Sequence, residues 1–333
     1  MTAWAPPEPE RPWLVADIGG TNARFGLVTA PGGPPDVVRS LPCASYPGLA
    51  GAVTAYLEGV ESPTPSAACM AVAGPVSAGG VRLTNGPWDI SVATTRDQLG
   101  LDRFTLINDF VALAMSLPWL EAADLRHIGG PDVVPGRPMA VLGPGTGLGV
   151  AGVLPVGGRW VPVDSEGGHT DAPAVTDREI EVARLLRAGR ESVSAEYLLS
   201  GSGLERLHGA LRQVHGLPAQ PAELPRPVDA ATICAAGVAG TDKACVEALS
   251  VFCALLGGFA GNVALTLGAR GGVFLGGGML PRIADFLETS DFRRRFEAKQ
   301  EMASYVEAVG TTLIVTPTPA LRGAAAWLEQ YGE

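Results

Sequence analysis

Apolar runs along the chain fall into two kinds: short ones closed by glycine, and longer ones with helical spacing. Residues 13–30, "WLVADIGGTNARFGLVTA", are two apolar runs joined by a glycine-rich turn, which predicts a β-hairpin. A third strand is predicted near Val37–Leu41, and a helix from Pro47 to about Leu57. "AACMAVAGPV" is a buried strand ending at Gly74 and Pro75, and "FTLIN" is another, followed at once by the helical "DFVALAMSL". After Pro118 the pattern restarts, with "PMAVLGPGTGLGVAGVLPV" as strand, glycine turn and strand, and "RWVPV" as one more strand. From Thr176 the spacing is mostly helical: "DREIEVARLLRA", "SAEYLLSGSGLERLHGALRQV" and a long segment from Asp242 to Gly268, with the Pro-rich loop "LPAQPAELPRPVD" between them. "GGVFLGGG" and "TTLIVTP" are strands, and "PALRGAAAWLEQY" is a closing helix. Two units that open alike, near residues 13 and 138, predict two α/β domains with a cleft between them, after a disordered tail over residues 1–12.

Composition narrows the choice of partners. Of 333 residues, 47% are hydrophobic and 17% charged, enough for a large core. A net charge of −10 argues against nucleic acid, whose binding needs a basic surface, but not against a phosphorylated small molecule held by backbone N–H groups. Five cysteines, an odd number with no C-x-x-C pair, predict reduced thiols in a cytoplasmic protein rather than a zinc cage or a disulfide framework. The stretch nearest to a membrane span, "ALSVFCALLGGFAGNVALTLGA", carries four glycines and Asn262 and suits a buried core helix better, so no membrane is expected.

The glycine loops carry the first candidate chemistry. A dinucleotide fingerprint needs a helix after the loop, but "GTGLG" runs into the strand-like "VAGVLPV". A P-loop needs Gly-Lys, and no such pair occurs. A protein kinase needs an early lysine, whereas only Lys243 and Lys299 exist. What remains is a hairpin turn that wraps a phosphate. Gly19 and Gly20 allow close backbone approach and Thr21 offers a hydroxyl, a set repeated at Gly145, Thr146 and Gly147. Asp17, at the first strand's end, can hold Mg2+ directly or through water. Taken singly, each loop also reads as an ordinary tight turn.

The polar pair in "TLINDFVALAM" is the second candidate. Asn108 or Asp109 can cap the following helix, or the carboxylate can sit at a strand-to-helix junction and take a proton; from these residues both stand.

In order along the chain, "DIGGTNARFGLV", "INDFVALA", "GPGTGLGV", "SEGGHTD", "SAEYLLSG" and "GGVFLGGGMLPR" together resemble the bacterial ATP-dependent glucokinases, over about residues 13–330. The resemblance implies the two-domain actin-like ATPase (ribonuclease H-like) fold of the hexokinase, actin and heat-shock ATPase superfamily, with the active site in the interdomain cleft. It assigns residues 13–117 and 318–333 to a small α/β domain and 118–317 to a large one. It implies that Ala16, Asp17, Ile18, Gly19, Gly20 and Thr21, with Gly145, Thr146 and Gly147, embrace the ATP phosphates, and that Gly276, Gly277 and Gly278 border the adenosine. Asp109 becomes the general base, and Asn108, Asp109, Glu166, His169 and Glu196 the sugar ligands. The cofactors implied are ATP and Mg2+, the partners glucose and ATP, and the assembly a homodimer. A related sugar-kinase and repressor family carries a zinc-binding cysteine cluster after a similar E-x-G-H; none follows His169, which argues against a metal role there.

The chemistry agrees with these assignments. Moving a phosphoryl group to a sugar hydroxyl needs alignment, charge compensation by Mg2+ and a base for the proton. The helix start beyond Asp109 is expected to favour its ionised form. From their neighbourhoods alone, Glu196 reads as a solvated helix face, and Glu166 and His169 as loop residues; their order relative to the phosphate turns makes them ligands. Asp164, Asp171 and Asp177 read as surface or capping residues, and Trp88 as shaping a sugar-side loop through Thr84 and Asn85. Two other functions stand beside glucose 6-phosphorylation: a kinase for another hexose, and a non-catalytic actin-fold sensor of ATP or sugar. Domain closure on sugar binding is expected, to keep water from accepting the phosphoryl group.

Overall fold

The computed structural model describes residues 5–74, 76–77, 79–82, 86–218 and 228–331. Thr84, Asn85 and residues 219–227 of the Pro-rich loop lie outside the described residues. The chain divides into two compact units, one formed by Met1–Leu120, Val153–Asp164 and Thr316–Glu333, the other by Glu121–Gly152 and Ser165–Val315.

The first unit contains β1 (Trp13–Ile18), β2 (Asn22–Val28), β3 (Asp36–Pro42), β4 (Ala67–Val72), β5 (Gly80–Arg82), β6 (Asp89–Ser91) and β7 (Arg103–Asn108). Five of them form one sheet in the order β3-β2-β1-β4-β7, and β5 and β6 pair separately. β1 and β2 make the predicted hairpin, and β1, β4 and β7 run parallel. Register puts Ile18 beside Val72 and Val72 beside Asn108, so the three parallel strands end in one row. Alternation along β1 sends Leu14, Ala16 and Ile18 into one apolar cluster and Trp13 and Val15 into another, which explains why the strand reads as continuously apolar.

The second of those clusters is completed by Leu321, Ala324 and Leu328 of the helix Pro319–Tyr331. Segment 153–164 is tied to the same helix: Trp160 N–H donates to Gln330 Oε1 at 2.6 Å, and Tyr331 OH to the Trp160 carbonyl at 2.8 Å. Within the expected N-terminal tail, Glu8 and Arg11 exchange backbone hydrogen bonds, and Ser66 N–H donates to the Pro12 carbonyl at 3.0 Å.

A six-stranded sheet holds β8 (Leu125–Gly129), β9 (Met139–Pro144), β10 (Leu148–Val156), β11 (Arg159–Ser165), β12 (Gly272–Leu275) and β13 (Thr311–Ile314), in the order β11-β10-β9-β12-β13-β8. β8, β9, β12, β13 and the start of β10 belong to the second unit, whereas nearly all of β11 falls in the 153–164 segment of the first. β9, β12 and β13 are parallel, as in the first sheet, with β8 added antiparallel at the edge. Helix Lys243–Leu267 is long and apolar enough to cross a membrane, but most of it is buried in the unit's core. Its glycines are places of close approach: a Cβ on Gly257 would come within 2.0 Å of the Phe292 carbonyl oxygen. The segment "SAEYLLSGSGLERL", read from sequence as one helical stretch, is two helices, Ala195–Leu198 and Gly201–Val214. The break comes at Ser200, whose Oγ caps the second helix by accepting the Gly203 N–H at 3.1 Å.

Candidate active site

In the first unit the sequence candidates gather at the row where the parallel strands end. β1 delivers Asp17, and the turn Gly19–Thr21 follows, closed by Gly19 N–H to the Asn22 carbonyl at 3.0 Å and anchored by Cys43 N–H to the Thr21 carbonyl at 2.8 Å. Ala16 and Ile18 are buried in the sheet, whereas Thr21 is exposed. Asp17 and Arg24 are direct cross-strand partners, and Arg24 Nη1 donates to Asp17 Oδ2 at 3.3 Å. Arg24 went unremarked in the sequence, although it stands symmetrically opposite Asp17 about the turn.

At β7's end the polar pair divides the two roles left open by the sequence. Asn108 is the cap: its Oδ1 accepts Phe110 N–H at 2.8 Å and Val111 N–H at 3.3 Å, and its Nδ2 donates to the Gly74 carbonyl at 3.2 Å. Asp109 accepts the Phe110 N–H at 3.0 Å on Oδ1. Burial pushes the Asp109 carboxyl up to about 6, the charge of Asp17 adds to the rise, and the Phe110 N–H opposes it. The sequence predicts that the helix start favours an ionised Asp109; the net shift runs the other way, because lost hydration and a like charge outweigh the hydrogen bonds from the backbone and from Asn108. Asp17 is also raised, by burial, with Arg24 opposing. Asp17 and Asp109 repel one another and the Arg24 guanidinium pairs with Asp17, a surplus of negative charge that suits a hard divalent cation.

In the second unit the turn Gly145–Gly147 joins β9 to β10, closed by Gly145 N–H to the Gly147 carbonyl at 2.8 Å and tied to the next helix by Gly201 N–H to the Gly145 carbonyl at 2.9 Å. Gly145 and Thr146 are exposed. Three candidate ligands surround this turn. Glu196 Oε2 accepts the Leu148 N–H at 2.9 Å, and Glu196 Oε1 lies 3.9 Å from His169 Nδ1. His169 Nε2 in turn lies 3.9 Å from Glu166 Oε2, with both side chains exposed. The Gly167–His169 turn rests directly on β10, since a Cβ on Gly168 would come within 2.0 Å of the Leu148 carbonyl oxygen. Glu196 is therefore not a solvated helix face but a support of the glycine turn.

Gly276, Gly277 and Gly278 follow β12. Gly276 N–H continues the ladder to the Leu142 carbonyl at 2.8 Å, and Gly277, at φ 89°, packs on Pro144. Gly278 has nothing near its Cβ position. The segment thus abuts the β9 end of the same turn, and Gly277 and Gly278 are exposed there.

Known proteins match this arrangement over nearly the whole chain. The Glucokinase family model matches residues 14–331. A glucokinase of Aromatoleum aromaticum is 46% identical over 321 residues, covering 96% of this chain and 95% of that protein. The crystal structure of a glucokinase from an Antarctic psychrotroph superposes with a TM-score of 0.86 at 37% identity, covering 97% of this chain and 99% of the other. At 18% identity and a TM-score of 0.63, a ROK family glucokinase from Streptomyces griseus, solved with glucose and AMPPNP, shares the fold over 94% of this chain and 98% of its own. The fold is the two-domain actin-like ATPase fold of glucokinases and ROK sugar kinases. With its family model matched from β1 to the final helix, the chain belongs to the glucokinase family.

Proposed function

We propose that the protein transfers the γ-phosphoryl group of ATP to the 6-hydroxyl of glucose, giving glucose 6-phosphate and ADP, with Asp109 as the general base. Membership of the family makes the chain an ATP-dependent hexose kinase. The base role is supported by one observation above the others: Asn108 takes over the cap, leaving a carboxyl raised to about 6 at the same helix start. A base whose pKa lies near the working pH is both deprotonated and basic enough to accept the proton.

As the sugar oxygen attacks Pγ, its proton passes to Asp109, the new O–P bond forms, and the bond to the β–γ bridging oxygen breaks with ADP as the leaving group. Asp17, directly or through water, would hold Mg2+, which offsets the phosphate charge when bound. The turns at Ala16–Thr21 and Gly145–Gly147 offer backbone N–H groups and the Thr21 and Thr146 hydroxyls to the phosphates, and Gly276–Gly278 offers an open backbone surface to the adenosine. Sugar hydroxyls would meet Glu166, His169, Glu196, Asp109 and the remaining Nδ2 hydrogen of Asn108, groups that can donate to or accept from adjacent hydroxyls. A cytoplasmic homodimer is proposed on the family likeness.

Replacement Asp109→Asn tests this assignment. Sugar binding by calorimetry should be largely kept, while phosphoryl transfer falls by at least ~10²-fold. Wild-type turnover in the variant removes Asp109 from the base role, and turnover of another hexose beside negligible turnover of glucose overturns the substrate.

A further inference from the structure

Glu196 stands between the glycine turn and His169. Its Oε2 accepts the N–H of Leu148, the first residue after the Gly145–Gly147 turn, while its Oε1 faces His169. A Cβ added at Gly147 would meet Glu196 Oε2 at 2.5 Å, Cδ at 3.2 Å and Cγ at 3.9 Å; the three nearest atoms all belong to this one side chain. Gly147 does not take the left-handed backbone that would itself call for glycine. A methyl at 147 would thus have to push the Glu196 carboxylate aside, away from the Leu148 N–H it accepts.

We infer that Glu196 is a positioning residue for the phosphate turn, and that sugar bound beside His169 acts on the nucleotide through it. The inference rests on the proposed function for its account of which turn holds phosphates and which side holds sugar. A carboxylate has two oxygens. One is committed to a backbone N–H that is costly to leave without an acceptor, and the other is free for a sugar hydroxyl or His169. A hydroxyl bound to Oε1 restricts the plane of the carboxylate, and the same plane aims Oε2 at Leu148 N–H and fills the space beside Gly147. Sugar therefore orders the turn that receives the phosphates, and by linkage nucleotide must tighten sugar by the same factor.

The test is a double-mutant cycle between Gly147→Ala and Glu196→Ala, read as KM for MgATP, KM for glucose and kcat, together with ADP affinity by calorimetry with and without glucose. Alone, Gly147→Ala should weaken ADP binding and raise KM for MgATP by about tenfold; placed on Glu196→Ala it should change them by less than about threefold, since the atoms it strikes are gone. Glu196→Gln keeps an oxygen for Leu148 N–H, so it should hold KM for MgATP within about threefold of wild type while KM for glucose rises at least tenfold.

An equal cost of Gly147→Ala in both backgrounds overturns the inference, as does a Glu196→Ala variant altered in its glucose constants alone. If Glu196→Ala does not fold, Glu196→Asp withdraws the carboxylate and must give the same rescue. The ADP measurements without sugar stand even if the wild-type protein phosphorylates no sugar, so failure of the proposed function is distinguishable from failure of the coupling.

Discussion

A Cβ on Gly323 would come within 1.7 Å of the carbonyl oxygen of Ala112. Gly323 lies in the helix Pro319–Tyr331 and Ala112 in the helix that begins at Asp109, so the two backbones touch where Asp109's helix needs a fixed backing. In an exposed helix, Gly→Ala would gain about 1 kcal/mol of helix propensity. Here the new methyl has no room, and parting the helices should reverse the sign, for a net loss of about 1–3 kcal/mol. Gly323→Ala should also lower kcat well below its melting temperature, because a small displacement of the proposed base is expensive. Urea denaturation and steady-state kinetics check both; a stabilised, fully active variant would refute the contact.

The raised carboxyl of Asp109 makes two pH predictions. In the proposed role of base it works only deprotonated, so kcat/KM should rise with pH through about 6 and level above it. Its folded value lies above the ordinary 3.8, so between those pH values the folded state binds more protons than the unfolded one. This group's contribution is therefore complete below about pH 4 and lost as pH rises through 6. Without ligands or metal, Asp109→Asn should be more stable than wild type at pH 7.5, on the order of 1–3 kcal/mol, and little different near pH 4. Equal stability at pH 7.5 would mean that the carboxylate is not strained there.

Replacing Asn108 separates capping from charge. Asn108→Ala removes the acceptor of the Phe110 and Val111 N–H groups and should cost about 1–2 kcal/mol. Asn108→Asp restores an acceptor, so most of that stability should return. It also sets a third carboxylate beside Asp17 and Asp109, and the acid limb of the rate profile should move to higher pH. An unmoved limb would show that the three groups do not interact.

The placing of Asp17 at a strand end, of Asn108 and Asp109 at a helix start, and of both glycine turns was legible because each depends on neighbours in sequence. What escaped was decided by tertiary contacts. Glu196 reads as an ordinary helix residue until β10 brings Leu148 N–H to it from 48 positions away. β8 was not foreseen because "LRHIG" is a polar, partly exposed edge strand whose only described partner is the distant β13. The sign of Asp109's shift was misjudged because burial and the approach of Asp17 are properties of the assembled sheet, whereas a helix start is visible locally. Arg24 could have been found, since hairpin symmetry about Gly19–Thr21 pairs it with Asp17.

In the second unit the test of packing is electrostatic. Glu179 and Arg295 form a buried ion pair; Glu179 Oε2 also accepts the Val175 and Thr176 N–H groups at 2.8 and 3.1 Å, and Arg295 Nη2 reaches the Pro173 carbonyl at 3.2 Å. Glu179→Ala should cost about 3–5 kcal/mol, because it strands a buried guanidinium and two backbone donors together. Glu179→Gln should recover part of this through the amide oxygen. A loss below about 1 kcal/mol in the alanine variant, measured by urea denaturation, would mean that water reaches Arg295 readily.

The backing of Asp109's helix by Gly323 has a consequence for how the protein is made. Ribosomes deliver the chain in order, so Asp109 emerges long before the helix that must support it, with more than half the chain translated in between. Until then β1, β4 and the early helix carry an apolar face that Leu321, Ala324 and Leu328 will later cover. The nascent chain therefore holds Asp17 and Asp109 before the helix that backs Asp109's own helix has been made. The packing that backs Asp109 is thus completed by the part of this sequence that is translated after residue 318.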